Sequence, residues 1–65
     1  MNINKKIEEL SKLNHRQVRV TTFYEILDTY GDKIPKEIQI SIREKAETEQ
    51  KNIDEKLQKI NKHGN

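Results

Sequence analysis

Helix-breaking residues are confined to two places in this 65-residue chain, and their positions restrict the folds it can form. Glycine occurs only at Gly31 and Gly64, and proline occurs only at Pro35. Gly and Pro are the residues that most strongly interrupt regular structure. The chain is therefore divided near its middle into two segments, each free of strong helix breakers over most of its length.

The first segment has the apolar spacing of an amphipathic helix. Most of its apolar residues recur at steps of three and four, which places them along one helical face. This first stripe consists of Ile3, Ile7, Leu10, Leu13, Val20, Tyr24 and Leu27. A second stripe lies on nearly the opposite side of the helix and consists of Phe23, Ile26 and Tyr30. This part of the helix therefore needs cover on two sides.

The middle of the chain indicates the end of one helix and the start of another. Gly31 suits the left-handed position that often ends a helix, and Pro35 suits the first turn of the next one. Glu37 favours the positive N-terminal end of that second helix. The second helix then carries a narrow apolar stripe, interrupted by Glu49 and formed by Ile38, Ile42, Ala46, Ile53, Leu57 and Ile60.

Two long helices joined by a short connection form an antiparallel αα-hairpin. We predict an all-α hairpin with helices near residues 3–30 and 35–62, in a single domain, 1–65. Each helix would be roughly 40 Å long at 1.5 Å per residue. Only 31% of the residues are hydrophobic and cysteine is absent, so a large core and disulfides are both excluded as sources of stability. We therefore expect a homodimer, in which two hairpins pair into a four-helix bundle.

Two stretches favour other folds. Residues 17–22 and 38–42 are rich in β-branched side chains that alternate with period two, so both segments could be strands in an αββα arrangement. A helix break near residues 15–19, where the two apolar stripes differ in phase, would give three helices instead of two.

The residues of the chain do not favour catalysis. Nucleophilic catalysis needs a nucleophile beside a base, and the only histidines are His15, among polar residues, and His63, near the end. No Glu stands three residues before a His, as a carboxylate metal site in a helix bundle would need. There is no Gly-rich phosphate loop either. We expect no enzymatic activity, cofactor, metal or small-molecule substrate. Glu49 has a structural interpretation, because a polar residue in an apolar seam can set helix register.

No apolar run approaches the roughly 18 residues of a membrane-spanning helix, and the N-terminal residues lead into no signal-type apolar stretch. We expect a cytoplasmic protein without a membrane partner. The small, lysine-rich and cysteine-free composition is typical of an accessory protein of a bacterium, plasmid or phage.

Charge is distributed unequally along the hairpin. Residues 1–19 and 51–65, which form its open end, hold nine basic and four acidic residues. Residues 20–50, toward the turn, hold four basic and seven acidic residues. The basic end could contact nucleic-acid phosphates. The residues that would make such contacts are Lys12, Arg16, Arg19, Lys59 and Lys62.

The second apolar stripe is the predicted contact surface, because aromatic residues are enriched at the energetically important positions of protein interfaces. All three aromatic residues of the chain fall between residues 23 and 30. The predicted protein-interface residues are Val20, Phe23, Ile26, Leu27 and Tyr30. We predict a regulator, adaptor or inhibitor that acts by protein contact. A nucleic-acid-binding regulator and a structural assembly subunit are the alternatives.

Two observations bear on the nucleic-acid alternative. In size and hairpin layout the chain resembles the plasmid-encoded RNA-binding Rop proteins, whose two-helix chains pair into a four-helix bundle. That resemblance covers architecture and no motif, so it assigns no RNA-binding residue. The helix before Gly31 and the helix after Pro35 could also form a helix-turn-helix, with the second helix reading DNA.

Overall fold

The computed structural model describes the backbone of residues 3–63 and the side chains of residues 3–61. Helix α1 spans Ile3–Tyr30, a short 3₁₀ turn spans Gly31–Lys33, and helix α2 spans Lys36–His63. The two helices pack against each other in a rod of 47 × 15 × 11 Å. The predicted hairpin is confirmed, with both helices within one residue of their expected bounds.

Both alternative folds are wrong for the part of the chain that the structure describes. Residues 3–63 contain no strand, and α1 runs without a break through residues 15–19. The hydroxyl of Thr21 donates to the carbonyl oxygen of Gln17 (3.1 Å), and that of Thr22 donates to the carbonyl oxygen of Val18 (2.9 Å). Threonine hydroxyls can bond in this way inside a helix, so the β-branched residues fit α1. Burial of Val20, which is 1% exposed, favours the helix further.

The hydrophobic core is a single row of side chains between the two helices. Its members recur every seven residues along each helix, which is the repeat of a coiled-coil seam. They are Leu13 and Val20 on α1, and Ala46, Ile53 and Ile60 on α2. Phe23 packs against this row and is half-buried. The seam is thin because a pair of helices can enclose only the side chains directly between them.

Several apolar residues of the predicted stripes lie outside this core. Ile7 is 58% exposed and Ile38 is 49% exposed, and Leu10 and Leu57 lie at the edge of the helix–helix contact. Leu10 and Leu57 lie three or four residues from a buried position, and Ile7 and Ile38 lie six and eight residues from one, so all four point to one side of the seam. The hairpin thus leaves part of its apolar surface uncovered.

The turn is held by the side chain of Gln39 from the first part of α2. Its amide donates to the carbonyl oxygens of Gly31 and Ile34, the latter at 2.7 Å. The carbonyl oxygen of Pro35 accepts the first backbone hydrogen bonds of α2, from the N–H groups of Ile38 (3.0 Å) and Gln39 (3.1 Å). Pro35 therefore stands immediately before α2. The prediction of a left-handed Gly31 is wrong, since its φ is not positive and it opens the 3₁₀ turn.

We expect Gly31→Ala to stabilise the chain by about 0.4–1 kcal/mol, because alanine fits the backbone conformation and reduces the freedom of the unfolded state. A Cβ atom built at Gly31 meets no other atom within 4 Å. Chemical denaturation followed by circular dichroism measures this change. A loss of stability would show that the position requires glycine.

We expect Ile53→Val to cost about 0.5–1.5 kcal/mol, because it removes a methylene group from the buried row. Ile40→Val is the matched control, since Ile40 lies on the same helix and is 48% exposed. That exposed substitution should change stability by less than about 0.5 kcal/mol. Equal effects of the two substitutions in denaturant unfolding would contradict the position of the core.

Candidate protein-interaction surfaces

A layer of four polar side chains divides the apolar row near the middle of the rod. Arg16 and Gln17 lie between Leu13 and Val20 on α1, and they pair with Glu49 and Gln50 of α2, which lie between Ala46 and Ile53. The Arg16–Glu49 pair lies on one side of the seam, and the Gln17–Gln50 pair lies on the other. We call this set the polar layer.

The ion pair of the polar layer is bidentate. Arg16 Nε donates to Glu49 Oε2 at 3.1 Å, and Arg16 Nη2 donates to Glu49 Oε1 at 2.5 Å. Both side chains are more than two-thirds covered by the hairpin. Two parallel hydrogen bonds between a guanidinium and a carboxylate define the relative orientation of the two groups. The pair therefore favours one register of α1 against α2.

The same contact shifts the titration of both groups. The hydrogen bonds from Arg16 lower the pKa of Glu49, against the effect of desolvation, and the positive charges of Arg16, Arg19 and Lys56 lower it further. The hydrogen bonds to Glu49 raise the pKa of Arg16. Both residues are therefore charged near neutral pH. The sequence identified Glu49 as a candidate for setting the register, but it did not identify Arg16 as its partner.

The two glutamines form a reciprocal amide pair on the other side of the seam. Gln17 Nε2 donates to Gln50 Oε1 at 2.7 Å, and Gln50 Nε2 donates to Gln17 Oε1 at 2.9 Å. The second N–H of Gln50 donates to Asp54 at 3.0 Å. Gln17 uses one of its two N–H donors in this pair, so its amide can make a further hydrogen bond. The sequence analysis did not single out either glutamine.

We expect the hairpin to lose stability in acid because of Glu49. A carboxyl group whose pKa is lowered by folding contributes stability above its unfolded pKa, and this contribution is lost as the pH falls through the folded pKa. Glu49→Gln should therefore unfold at a lower temperature than the wild type near pH 7, and this difference should shrink below the ordinary glutamate pKa of 4.5.

Glu47→Gln is the control for that measurement, because it removes the same charge from an exposed position on the same helix. Thermal unfolding by circular dichroism from neutral to acidic pH compares the two variants. A pH-independent difference between Glu49→Gln and wild type would contradict a folded-state role of the carboxylate.

The predicted protein-interface residues differ in how far the hairpin buries them. Val20 is in the core, Phe23, Ile26 and Leu27 are half-buried, and Tyr30 is 53% exposed. Phe23 also lines an open groove with Arg19, Ser41 and Lys45. Ile38 lies one turn before Ser41 on α2, so it extends the same side toward the turn. We define the turn-end patch as Phe23, Ile26, Tyr30 and Ile38.

A second surface runs along α1 on the side of the glutamine pair. Seven residues at alternating steps of four and three share this side of the helix, and none of them is charged. They are Ile3, Ile7, Leu10, Asn14, Gln17, Thr21 and Tyr24. All of them are exposed except Gln17, which is half-buried. We call this surface the uncharged strip. Leu57 of α2 joins it beside Leu10, where both line a groove with Gln17.

The predicted nucleic-acid contact residues differ in whether their charges have a partner within the hairpin. Arg16 is engaged by Glu49, and Lys12 is exposed and lies 3.9 Å from Glu9. Arg19 and Lys59 are exposed. The side chain of Lys62 lies outside the described residues. Of the three predicted contacts on α1, Lys12 and Arg16 therefore have acidic partners within the chain, and nucleic-acid binding stays a prediction.

Comparisons with known proteins identify no relative. No protein-family model, curated protein or solved structure matches this chain. The resemblance to Rop proteins therefore rests on size and layout alone. No helix in the described part of the chain is long and apolar enough to cross a membrane.

Proposed function

We propose that this chain is a small, non-enzymatic protein-interaction module that pairs with itself into a four-helix bundle and binds another protein through the turn-end patch. In this role it acts as a regulator, adaptor or inhibitor. Binding alone can produce these effects, since a bound helix pair can cover a surface of its partner or hold two proteins together.

The observation that carries this proposal is the excess of exposed apolar side chains over buried ones. Among the described side chains, five residues are buried, whereas nine large apolar residues are exposed. Single exposed apolar residues are ordinary, but contiguous apolar patches on small proteins mark interaction sites. In this chain they fall into groups at helical spacing, so they can be covered together by another chain.

The elongated shape supports the same conclusion. The radius of gyration is 14.9 Å, whereas a compact domain of this length would have one of about 11 Å. Because the core is a single row of side chains, both flanks of the seam are exposed. Contact with further chains is the available way to bury these flanks, because the described structure has no third element to cover them.

The turn-end patch has the composition of a protein-binding site. It combines two aromatic side chains with two isoleucines, and aromatic anchors contribute strongly to binding energy in protein interfaces. Charged and polar residues of the adjoining groove, including Arg19, Lys45 and Asn52, border Phe23. An apolar centre with a polar rim is the usual anatomy of a specific interface. The patch therefore fits an apolar surface on another protein.

The turn-end patch and the uncharged strip lie on different sides of the seam. Phe23 lines a groove on the side of Glu49, whereas Leu10 lines a groove on the side of Gln17. One chain can therefore contact its own copy on one side and another protein on the other. This arrangement supports an adaptor or an inhibitor more than a subunit with a single contact.

We expect the double substitution Tyr30→Ser and Ile38→Ser to abolish capture of a protein partner from extracts of cells that produce this chain. Both side chains are about half exposed, so their removal should leave the hairpin folded, as circular dichroism can verify. The matched control is Val18→Ser with Ile40→Ser, which removes similarly exposed apolar side chains outside the patch. Captured protein is quantified after washing at low and high salt.

Retention of the partner by the control and its loss by the patch variant, with little effect of salt, would support the proposal. Equal capture by both variants would contradict a role of the turn-end patch. Capture of nucleic acid that is lost steeply as salt increases would instead favour the basic end as the functional surface.

A further inference from the structure

The uncharged strip is unusual in so highly charged a chain. Asp, Glu, Lys and Arg make up 37% of the residues, yet seven successive positions on this side of α1, from Ile3 to Tyr24, carry no charge. The steps between these positions alternate between four and three, as they do along a coiled-coil seam. The strip extends over roughly 32 Å at 1.5 Å per residue. A surface of this length without charge is suited to contact with another helix.

The flank of α2 on the same side of the seam carries charged residues. Arg43, Glu47 and Asp54 share this side with Gln50, because they lie seven residues before, three residues before and four residues after it. All three charged residues are exposed. Burying them would cost desolvation energy unless each found an opposite charge. The contact is therefore better centred on α1, with these residues of α2 left at the solvent-exposed rim.

The charge distribution selects the orientation of a second copy. The open end of the hairpin holds nine basic and four acidic residues, and the turn end holds four basic and seven acidic ones. If two copies met with their turns at the same end, like charge would face like charge. With the turns at opposite ends, the basic end of each copy lies beside the acidic end of the other, and complementary charge favours that arrangement.

The same orientation brings the two uncharged strips together. With the turns at opposite ends, a two-fold axis perpendicular to the helices places α1 against α1 of the copy. With the turns at the same end, the axis runs along the helices and places α1 against α2 of the copy, whose flank carries Glu47 and Asp54. Charge complementarity and burial of the strip therefore favour the same geometry, in which the turns of the two copies lie at opposite ends.

We infer that a second copy of this chain packs across the uncharged strip, with its α1 antiparallel to the first α1 and with Gln17 of both copies near the two-fold axis. Full overlap of Ile3–Tyr30 with its copy places the axis close to Gln17. Leu10 then lies beside Tyr24 of the copy, and Lys6 lies near Asp28 of the copy. The spare N–H of Gln17 can bond the amide oxygen of the other Gln17.

The elongated hairpin exposes more surface than a compact chain of its mass. The accessible surface is 5348 Å², whereas a compact monomer of 7.8 kDa would expose about 4,400 Å². The excess of about 1,000 Å² is comparable with the roughly 800 Å² that each partner contributes to an ordinary stable interface. This inference rests on the proposed self-association and specifies its surface and orientation.

Engineered cysteines test the orientation directly, because the natural chain contains none. Asn14→Cys and Thr21→Cys are each placed in a separate chain, at exposed positions on the strip. In the inferred geometry, residue 14 of one copy lies near residue 21 of the other. Mild oxidation of the mixed chains should therefore give a disulfide-linked dimer, whereas either chain alone should give much less. Ser41→Cys mixed with Thr21→Cys is the control that should not link.

A matched pair of isoleucine substitutions tests the surface without cysteine. Ile7 lies on the strip and Ile38 lies in the turn-end patch, and their exposures are 58% and 49%. We expect Ile7→Glu to weaken self-association more than about tenfold, because a negative charge would enter the contact beside Asp28 of the copy. Ile38→Glu should leave self-association nearly unchanged. Sedimentation equilibrium measures both variants.

The outcomes separate this inference from the proposed function. Formation of the 14–21 link by the mixed cysteine chains, with self-association weakened by Ile7→Glu and not by Ile38→Glu, supports the inference. If the wild-type chain dimerises but the mixed Asn14→Cys and Thr21→Cys chains do not link, or if Ile38→Glu dissociates the dimer instead, the geometry is overturned but the proposed self-association is left intact. A wild-type chain that stays at 7.8 kDa at every concentration overturns both.

Discussion

The structure depends on one row of apolar side chains packed between two antiparallel helices. Leu13, Val20, Ala46, Ile53 and Ile60 recur every seven residues along their helices, so a single straight contact can bury all of them. This row is all that two helices can enclose, and it leaves the apolar residues beside it exposed. Both the elongated shape and the exposed apolar surfaces follow from that limit.

The polar layer gives the seam its specificity. A uniform apolar row would tolerate sliding of one helix by a heptad, whereas the bidentate Arg16–Glu49 pair and the reciprocal Gln17–Gln50 pair form in one register. Exposed ion pairs contribute little stability, and this pair is only partly covered. Its main consequence is therefore the choice of register, as polar residues in helix seams often provide. The Arg16–Glu49 pair lies on the side of the turn-end patch, and the Gln17–Gln50 pair lies on the side of the uncharged strip.

The fold could be predicted from the sequence because its two strongest sequence signals agree. The breakers at Gly31 and Pro35 and the three-and-four spacing of the apolar residues indicated two helices, and the β-branched stretches were overridden by burial of Val20 and by threonine-to-backbone hydrogen bonds. The conformation of Gly31 was mispredicted because glycine preference alone does not distinguish a 3₁₀ turn from a left-handed cap. The partners of Arg16 and Gln17 could not be predicted, since they depend on the register between helices. Once Leu13 and Ile53 are known to share the seam, residues 16 and 49 follow as neighbours.

We propose that a hairpin with so thin a core is stabilised by association with a second chain. The most direct test is the thermal unfolding midpoint of the wild-type chain, measured by circular dichroism over a wide range of chain concentrations. Because association stabilises by mass action, we expect Tm to rise steadily with concentration and helicity to decrease on dilution. A Tm that does not change with concentration, with full helicity at the lowest concentration, would contradict it.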